Sequence, residues 1–246
     1  MIRIENVSKS FRQEDGIDKL VLDNISFEIK SGEFITIFGP NGSGKSTLLN
    51  LLAKLMKTSQ GIIEFENTKE VSAYIFQDYK ANLLPWKNVW QNVAQPLLWQ
   101  NLSKTESRKK VEVLFEKLKI NVPMGAFPYT LSGGQAQLVS ILRSVIIEPS
   151  LLLADEPFSA LDLMNRWKLS IVLRDLWLEL KFKSVFVSHD IDEAIFLGNR
   201  LILLSKMPTR IKKIFDINLP EKRTKEILTS PEFIKIKESI LSEMQF

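Results

Sequence analysis

The feature that most constrains the fold is a glycine-rich loop between an apolar run and a helical stretch. Residues 33–38 are apolar and β-rich, which predicts a buried strand. Residues 47–57 are rich in Leu and Lys and lack Gly and Pro, which predicts a helix. The intervening residues match the pattern G-x-x-x-x-G-K-[ST]: Gly39, Pro40, Asn41, Gly42, Ser43, Gly44, Lys45 and Ser46. A strand that enters a helix through such a loop predicts a phosphate site in an α/β sheet.

The chemistry of this loop follows from its residue types. Free backbone N–H groups and the positive end of the helix dipole favour phosphate. Lys45 supplies a compact cation for the β- and γ-phosphates, and the Ser46 hydroxyl suits Mg²⁺, which takes few protein ligands. The glycines allow the backbone to approach the phosphates, and Thr47 completes the set of expected nucleotide contacts.

A second glycine-rich helix start occurs at residues 131–135, Leu-Ser-Gly-Gly-Gln. Ser132 and Gln135 have the spacing of a capping box, and residues 136–147 continue without Gly or Pro. The stretch is therefore a second helix N-terminus able to bind an anion. On this stretch alone, an ordinary capped helix is an equally good interpretation.

Two adjacent carboxylates follow another apolar run. Asp155 comes after residues 151–154 and is expected at the C-terminal end of a parallel strand, where open α/β sheets bind ligands. Asp155 is placed to hold Mg²⁺ through water, and Glu156 to act as general base on an attacking water. The alternative is a solvated strand exit.

Taken together, these motifs resemble those of ATP-binding cassette (ABC) ATPase subunits. The Leu-Ser-Gly-Gly-Gln signature lies between the phosphate loop and the acidic pair, and residues 155–162 continue the family pattern. The resemblance implies a P-loop NTPase-type α/β fold with an antiparallel β subdomain and an inserted α-helical subdomain. It also implies a head-to-tail dimer, in which the loop of one copy and the signature of the other enclose one ATP. The signature residues that would contact this ATP are Ser132, Gly133, Gly134 and Gln135.

The same resemblance assigns roles to three further residues. His189, the one histidine of the chain, matches the switch histidine that contacts the γ-phosphate and holds the water and Glu156 in place. Gln77 matches a glutamine that contacts Mg²⁺ and the water. Phe11 lies where the family stacks an aromatic ring on adenine, with plain core packing as the alternative. The preference for ATP also comes from the resemblance.

Composition limits the other possibilities. The chain has 246 residues, 45% of them hydrophobic, which fits one large domain. From the order of its segments and the family resemblance we expect this domain over residues 1–230, with the helical subdomain at approximately 92–147 and a helical tail at 231–246. No apolar run reaches 18 residues, no signal peptide is visible and there is no Cys, which favours the cytosol. A basic group could approach anionic lipid or form a solvated face: Lys206, Arg210, Lys212, Lys213, Lys222, Arg223 and Lys225.

Several segments are similar to the nitrate, sulfonate and taurine branch of importer ATPases, including residues 83–86, 187–194 and 230–233. This branch implies a peripheral subunit on the cytoplasmic face of the membrane, paired with a second cassette and with permease subunits. A solute-binding protein takes part indirectly, and no nucleic acid is expected. Trp86 and Trp90 are assigned to a permease-facing groove or to the core. The alternative function is a soluble ABC ATPase that acts on ribosomes or DNA.

The chain departs from the family after the signature. Relatives commonly continue with Arg-Gln-Arg, whereas this chain has Ala136, Gln137 and Leu138. Without these two cations, we predict weaker ATP affinity or slower closure of the dimer.

Overall fold

The computed structural model describes residues 1–14, 16–67, 71–78 and 82–244. The strands are β1 (Ile2–Arg12), β2 (Asp18–Ile29), β3 (Phe34–Phe38), β4 (Gln60–Phe65), β5 (Ser72–Ile75), β6 (Leu151–Asp155), β7 (Lys183–Ser188), β8 (Arg200–Leu204) and β9 (Ile211–Asp216). The helices are α1 (Lys45–Leu52), α2 (Val89–Trp99), α3 (Lys104–Lys117), α4 (Gly133–Val145), α5 (Leu163–Leu180), α6 (Ile191–Leu197) and α7 (Pro231–Met244). Short 3₁₀ helices occupy Pro128–Thr130 and Lys225–Thr229.

These strands form two sheets. A three-stranded antiparallel sheet has the order β2-β1-β4, and a six-stranded sheet has the order β5-β6-β7-β3-β8-β9. In the larger sheet β5, β6, β7, β3 and β8 run parallel, and β9 adds an antiparallel edge. The C-terminal ends of the parallel strands therefore meet at one edge, which is where the phosphate loop, Asp155 and His189 follow their strands.

Alternation along β3 shows how the larger sheet separates two apolar layers. Phe34 and Phe38 join the core that contains the helices α2 to α6, whereas Ile35 and Ile37 join the core beneath α1 and the antiparallel sheet. All five residues of β3 are buried, as expected for a central parallel strand covered on both faces. The fold is thus the predicted α/β cassette with an antiparallel β sheet and a helical region.

The local helix signals are mostly confirmed. The capping box predicted at Ser132 is present. A second capping box begins α3 at Ser103, and Val111 and Phe115 of this helix are buried in the core. The helix expected over residues 47–57 is shorter in the structure. It ends at Leu52, and Lys54 just beyond it adopts a left-handed φ of 59°.

One member of the basic group near the C-terminal region, Arg223, is not part of a solvated face. Arg223 is buried and donates hydrogen bonds to the carbonyl oxygens of Ile195, Phe196 and Gly198 at 2.7–2.9 Å. It satisfies carbonyl groups at the end of α6 that have no partner within the helix. Arg210 pairs with Asp23 at 2.6 Å. In the part of the chain that the structure describes, no helix is long and apolar enough to cross a membrane.

Candidate nucleotide site

The phosphate loop is a concave stretch of backbone at the start of α1. Lys45 is only 5% exposed, and its ammonium group donates to the carbonyl oxygens of Gly39 and Pro40 at 3.1 and 3.0 Å. The lysine thus lies across the loop and holds a positive charge over its concave side. The adjacent cavity has a volume of about 500 Å³ and is lined by Val21, Asn41, Gly42, Ser43, Gly44, Lys45, Ser46, Thr47, Gln77, Glu156 and Met207.

The loop is held from behind by residues distant in sequence. Gly44, the N-cap of α1, has a φ of 78°, and a Cβ at this position would lie 2.8 Å from Cγ1 of Val21. A side chain at position 44 would therefore be both strained and crowded. Thr209 is buried and donates its hydroxyl to the Ser43 carbonyl at 2.5 Å. Neither Val21 nor Thr209 carries a sequence signal for a nucleotide site.

Asp155 ends β6 beside this loop. Burial raises the pKa of its carboxyl group, while hydrogen bonds from Ser46 and Tyr74 oppose the rise. The Tyr74 hydroxyl lies 3.5 Å from Oδ2 of Asp155, and burial also raises the pKa of the tyrosine. The carboxylate of Asp155 and the hydroxyl of Ser46 are hard oxygen donors of the kind Mg²⁺ prefers. The residues present therefore fit a magnesium ion that keeps most of its waters.

Glu156 is the most strained residue of the site. Its φ of 44° lies in the left-handed region, which costs a non-glycine residue about 1–3 kcal/mol. Its N–H donates to the Val187 carbonyl at 3.1 Å, so the backbone crosses from β6 towards the end of β7. Its Oε2 lies 2.9 Å from Nδ1 of His189, and its Oε1 lies 3.7 Å from the Lys45 ammonium. The imidazole of His189 and the ammonium group of Lys45, each predicted from a separate segment, thus lie beside the carboxylate of Glu156.

Two other predicted residues have less decisive positions. Gln77 lines the cavity, and its side-chain amide lies 3.5 Å from the Ser159 hydroxyl. Phe11 is 37% exposed at the end of β1, with the Lys9 ammonium 5.1 Å from its ring centroid. Its exposure argues against plain core packing, but Phe11 is not among the residues that line the cavity.

The signature segment is built as expected but stands apart from the phosphate cavity. The Ser132 hydroxyl accepts from the Gln135 N–H at 3.3 Å, and the Gln135 side chain accepts from the Ser132 N–H at 2.9 Å. Within the described residues, none from 131 to 135 lines the cavity at Gly39 to Thr47. A Cβ on Gly134 would lie 3.0 Å from Cγ of Asn165, so this glycine lets α4 approach the start of α5.

The residues that depart from the family pattern after the signature pack towards the protein interior. Ala136 and Gln137 are buried, and Leu138 is half-buried against the core. Neither amide atom of Gln137 has a hydrogen-bond partner among the residues the structure describes.

The fold and the site together define a P-loop ATPase. A family model described as "ABC transporter" matches residues 22–159, more than half of the chain. The aliphatic sulfonates import ATP-binding protein SsuB of Bacillus subtilis is 40% identical over 250 residues, covering 99% of this chain and 94% of that protein. The bicarbonate transport ATP-binding protein CmpC of Synechocystis is 34% identical, covering 98% of this chain and 37% of that protein.

Solved structures agree with this assignment. The dimeric structure of the ABC transporter cassette MJ0796 has a TM-score of 0.76 and 31% identity, covering 89% of this chain and 100% of that chain. A second structure of that cassette, bound to ADP and Pi after hydrolysis, has a TM-score of 0.77. The chain belongs to the ABC transporter family and is an ATP-hydrolysing subunit of the kind that powers ABC importers, with Mg²⁺ as its metal.

Proposed function

We propose that this chain drives the import of an organic sulfonate or a related small anion, as a peripheral subunit on the cytoplasmic face of the membrane. The cargo class is supported by the relative from Bacillus subtilis, which is named for aliphatic sulfonates and aligns with 99% of this chain. The bicarbonate relative widens the class to small anions. Nothing in the comparisons favours the alternative of an ATPase that acts on ribosomes or DNA.

The catalytic proposal depends on the convergence at Glu156. Its carboxylate is the general base for the attacking water, and His189, 2.9 Å away, orients the carboxylate and contacts the γ-phosphate. Lys45 binds the β- and γ-phosphates, and Gln77 contacts the water and the metal. A magnesium ion held by Ser46, Asp155 and Gln77 would neutralise charge that develops on the phosphates. Phe11 stacks on the adenine.

The dimer proposal depends on the separation of the two anion sites. The signature residues do not reach the cavity of their own chain, and the neighbouring residues Leu163 and Met164 are 60% and 57% exposed. Exposed apolar side chains next to a glycine-rich helix start fit a surface that a second copy covers. Two chains placed head to tail would add Ser132, Gly133, Gly134 and Gln135 of one copy to the phosphate loop of the other.

A rigid turn supports the proposed contact with the permease. The Asn92 side-chain amide donates to the carbonyls of Leu84 and Lys87, at 3.1 and 2.8 Å, and its oxygen accepts from the Leu84 N–H at 2.8 Å. This turn presents Trp86, which is 70% exposed, whereas Trp90 is buried at 8% exposure. We therefore assign Trp86 to the permease-facing surface and Trp90 to the core.

The direct test is to purify the tagged chain from mildly solubilised native membranes and to identify its partners by mass spectrometry. We expect a multi-span permease and, through it, a solute-binding protein whose affinities for taurine, an alkanesulfonate, nitrate and bicarbonate can be measured by calorimetry. Recovery with ribosomal or DNA-bound proteins instead would overturn the transport assignment. Preference of the binding protein for a neutral or cationic solute would overturn the cargo class alone.

The permease contact has a matched pair of variants. Trp86→Ala should lower the recovery of the permease at least severalfold, since a large exposed aromatic anchor is removed. Trp99→Ala, at a tryptophan that is 65% exposed, serves as the control and should leave recovery unchanged. Equal recovery with both variants would contradict the assignment of Trp86.

A further inference from the structure

A buried carboxyl group lies directly behind the turn that carries His189. Glu193, in the first turn of α6, is 4% exposed, and its Oε2 accepts a hydrogen bond from the Ser188 hydroxyl. Its other oxygen has no hydrogen-bond partner within the described part of the chain. Because an unpaired polar atom in the interior is costly, a glutamate at this position needs a reason to be there.

The hydrogen bonds of Ser188 show what Glu193 does locally. The Ser188 oxygen accepts from the Asp190 N–H at 3.0 Å, and its single proton faces two acceptors, Glu193 and the Asp190 carbonyl at 3.2 Å. Ser188 and Asp190 are the two neighbours of His189 in the chain. The contact between Glu193 and Ser188 therefore fixes the backbone on both sides of the histidine.

Other hydrogen bonds hold Asp190 and the two ends of α6 in place. Asp190 caps α6 through the N–H groups of Asp192 and Glu193, at 2.9 and 3.2 Å, and its second oxygen pairs with Arg166 at 2.8 Å. Arg174 donates to the Leu197 carbonyl at 2.6 Å at the far end of the helix. Since α6 is held at both ends, the position of Glu193 is set, and Ser188 is positioned from it.

The geometry points to Glu193 as a positioning residue for ATP hydrolysis: through Ser188 it holds the 188–190 turn so that His189 meets Glu156. Glu193 lies behind the turn and contacts neither Glu156 nor the phosphate loop in any hydrogen bond of the described residues. Its effect on the reaction passes through the histidine, whose Nδ1 lies 2.9 Å from Glu156. The inference rests on the roles proposed above for Glu156 and His189.

This role predicts a specific kinetic pattern. Glu193→Leu removes the acceptor for Ser188 at similar size, so the turn loses one of its supports while the phosphate loop is untouched. We expect kcat of the purified protein to fall about tenfold or more with a change in the KM for ATP below about twofold, because the lost positioning acts only on the chemical step. Glu193→Gln keeps a hydrogen-bonding group at the same place and should restore kcat to within about threefold of wild type.

Two controls separate this pattern from a general loss of folding. Ser188→Ala removes the other end of the hydrogen bond and should lower kcat without adding to the effect of Glu193→Leu in the double variant, because both remove one contact. Glu238→Gln, at an exposed position of α7, should change nothing. Binding of a fluorescent ATP analogue with unchanged affinity shows that each variant is folded.

The inference is overturned if folded Glu193→Leu keeps its kcat, or if Glu193→Gln is as impaired as Glu193→Leu. If Glu193→Leu fails to fold, Ser188→Ala decides in its place, and a kcat within twofold of wild type for that variant overturns the inference. Failure of the underlying catalytic proposal would look different. In that case Glu156→Gln and His189→Ala would themselves retain turnover.

Discussion

The phosphate loop and the signature segment are both glycine-rich helix starts, yet the chain completes only one of them. The loop has Lys45 folded across it at 5% exposure, Thr209 bonded behind it and Glu156 facing it. At the signature, Ser132 and Gln135 bond each other, and Ser132 remains exposed. One region has a lysine, a buried threonine and a carboxylate around its backbone, and we propose that the other is a surface completed by a second copy.

We propose that the two regions divide the site between chemistry and assembly. Lys45 is buried and Glu156 is strained, with its left-handed φ of 44°, whereas His189 and Gln77 are exposed. The start of the signature is capped by its own Ser132 and Gln135, a pairing that any chain with this spacing can form. We therefore expect substitutions in the two regions to fail in different ways.

The largest expected effect is at Glu156. Glu156→Gln removes the base while keeping the shape of the side chain, so hydrolysis should fall about 10³-fold, within the range for loss of a general base. The variant should still bind ATP and accumulate as a dimer in size-exclusion chromatography. Turnover close to that of wild type would remove Glu156 from the role of base.

A pair of glycine substitutions tests the comparison itself. Gly44→Ala places a Cβ 2.8 Å from Val21 at a φ of 78°, and this strain should cost about 1–3 kcal/mol of unfolding free energy together with most of the ATP binding. Gly134→Ala places a Cβ 3.0 Å from Cγ of the Asn165 side chain, at a position without a left-handed φ. It should leave ATP binding by the monomer intact and weaken the dimer. Thermal unfolding and ATP titration below the dimerisation concentration measure both, and equal loss of binding in the two variants would contradict the distinction.

The parts of this picture that are visible in the sequence are those coded by adjacent residues. The phosphate loop, the capping box at Ser132 and the strand ending at Asp155 all follow from local pattern. The contact between Thr209 and Ser43 joins residues 166 positions apart, and no local signal marks it. The sequence also left Trp86 and Trp90 undecided, because which of two nearby aromatic side chains faces the core depends on how α2 packs.

A third prediction concerns the buried Glu193 and the pH dependence of the free energy of unfolding. Burial raises the pKa of Glu193 from 4.5 to about 7, so the folded chain holds this proton where the unfolded chain has lost it. This bound proton contributes its full stabilisation below about pH 4.5. The free energy of unfolding then falls as the pH rises to 7, by about 3 kcal/mol at most. Glu193→Gln should remove that share of the pH dependence in chemical unfolding curves. If the free energy of unfolding has the same pH dependence in wild type and variant, burial does not perturb the pKa of this carboxyl group.

The smallest expected effect is at the signature helix. Restoring both family cations with Ala136→Arg and Leu138→Arg tests the predicted weak affinity, but Ala136 is buried, so an arginine there disturbs packing. Leu138→Arg alone, at a half-buried position, is the cleaner variant and should lower the KM for ATP about twofold to fivefold, since a cation nearby attracts phosphate. Leu138→Gln is the uncharged control. An unchanged KM for the arginine variant would show that a cation at position 138 has no part in ATP affinity.

The most direct test of the shared site is complementation between two inactive chains. Lys45→Ala disables the phosphate loop and Ser132→Arg the signature, so each variant alone should hydrolyse almost no ATP. In a mixed head-to-tail dimer, one site combines both defects and the other combines two intact halves. An equal mixture should therefore regain about one quarter of wild-type activity, because half of the dimers are mixed and each has one working site of two. A mixture as inactive as its components, with mixed dimers shown to form, would contradict the account.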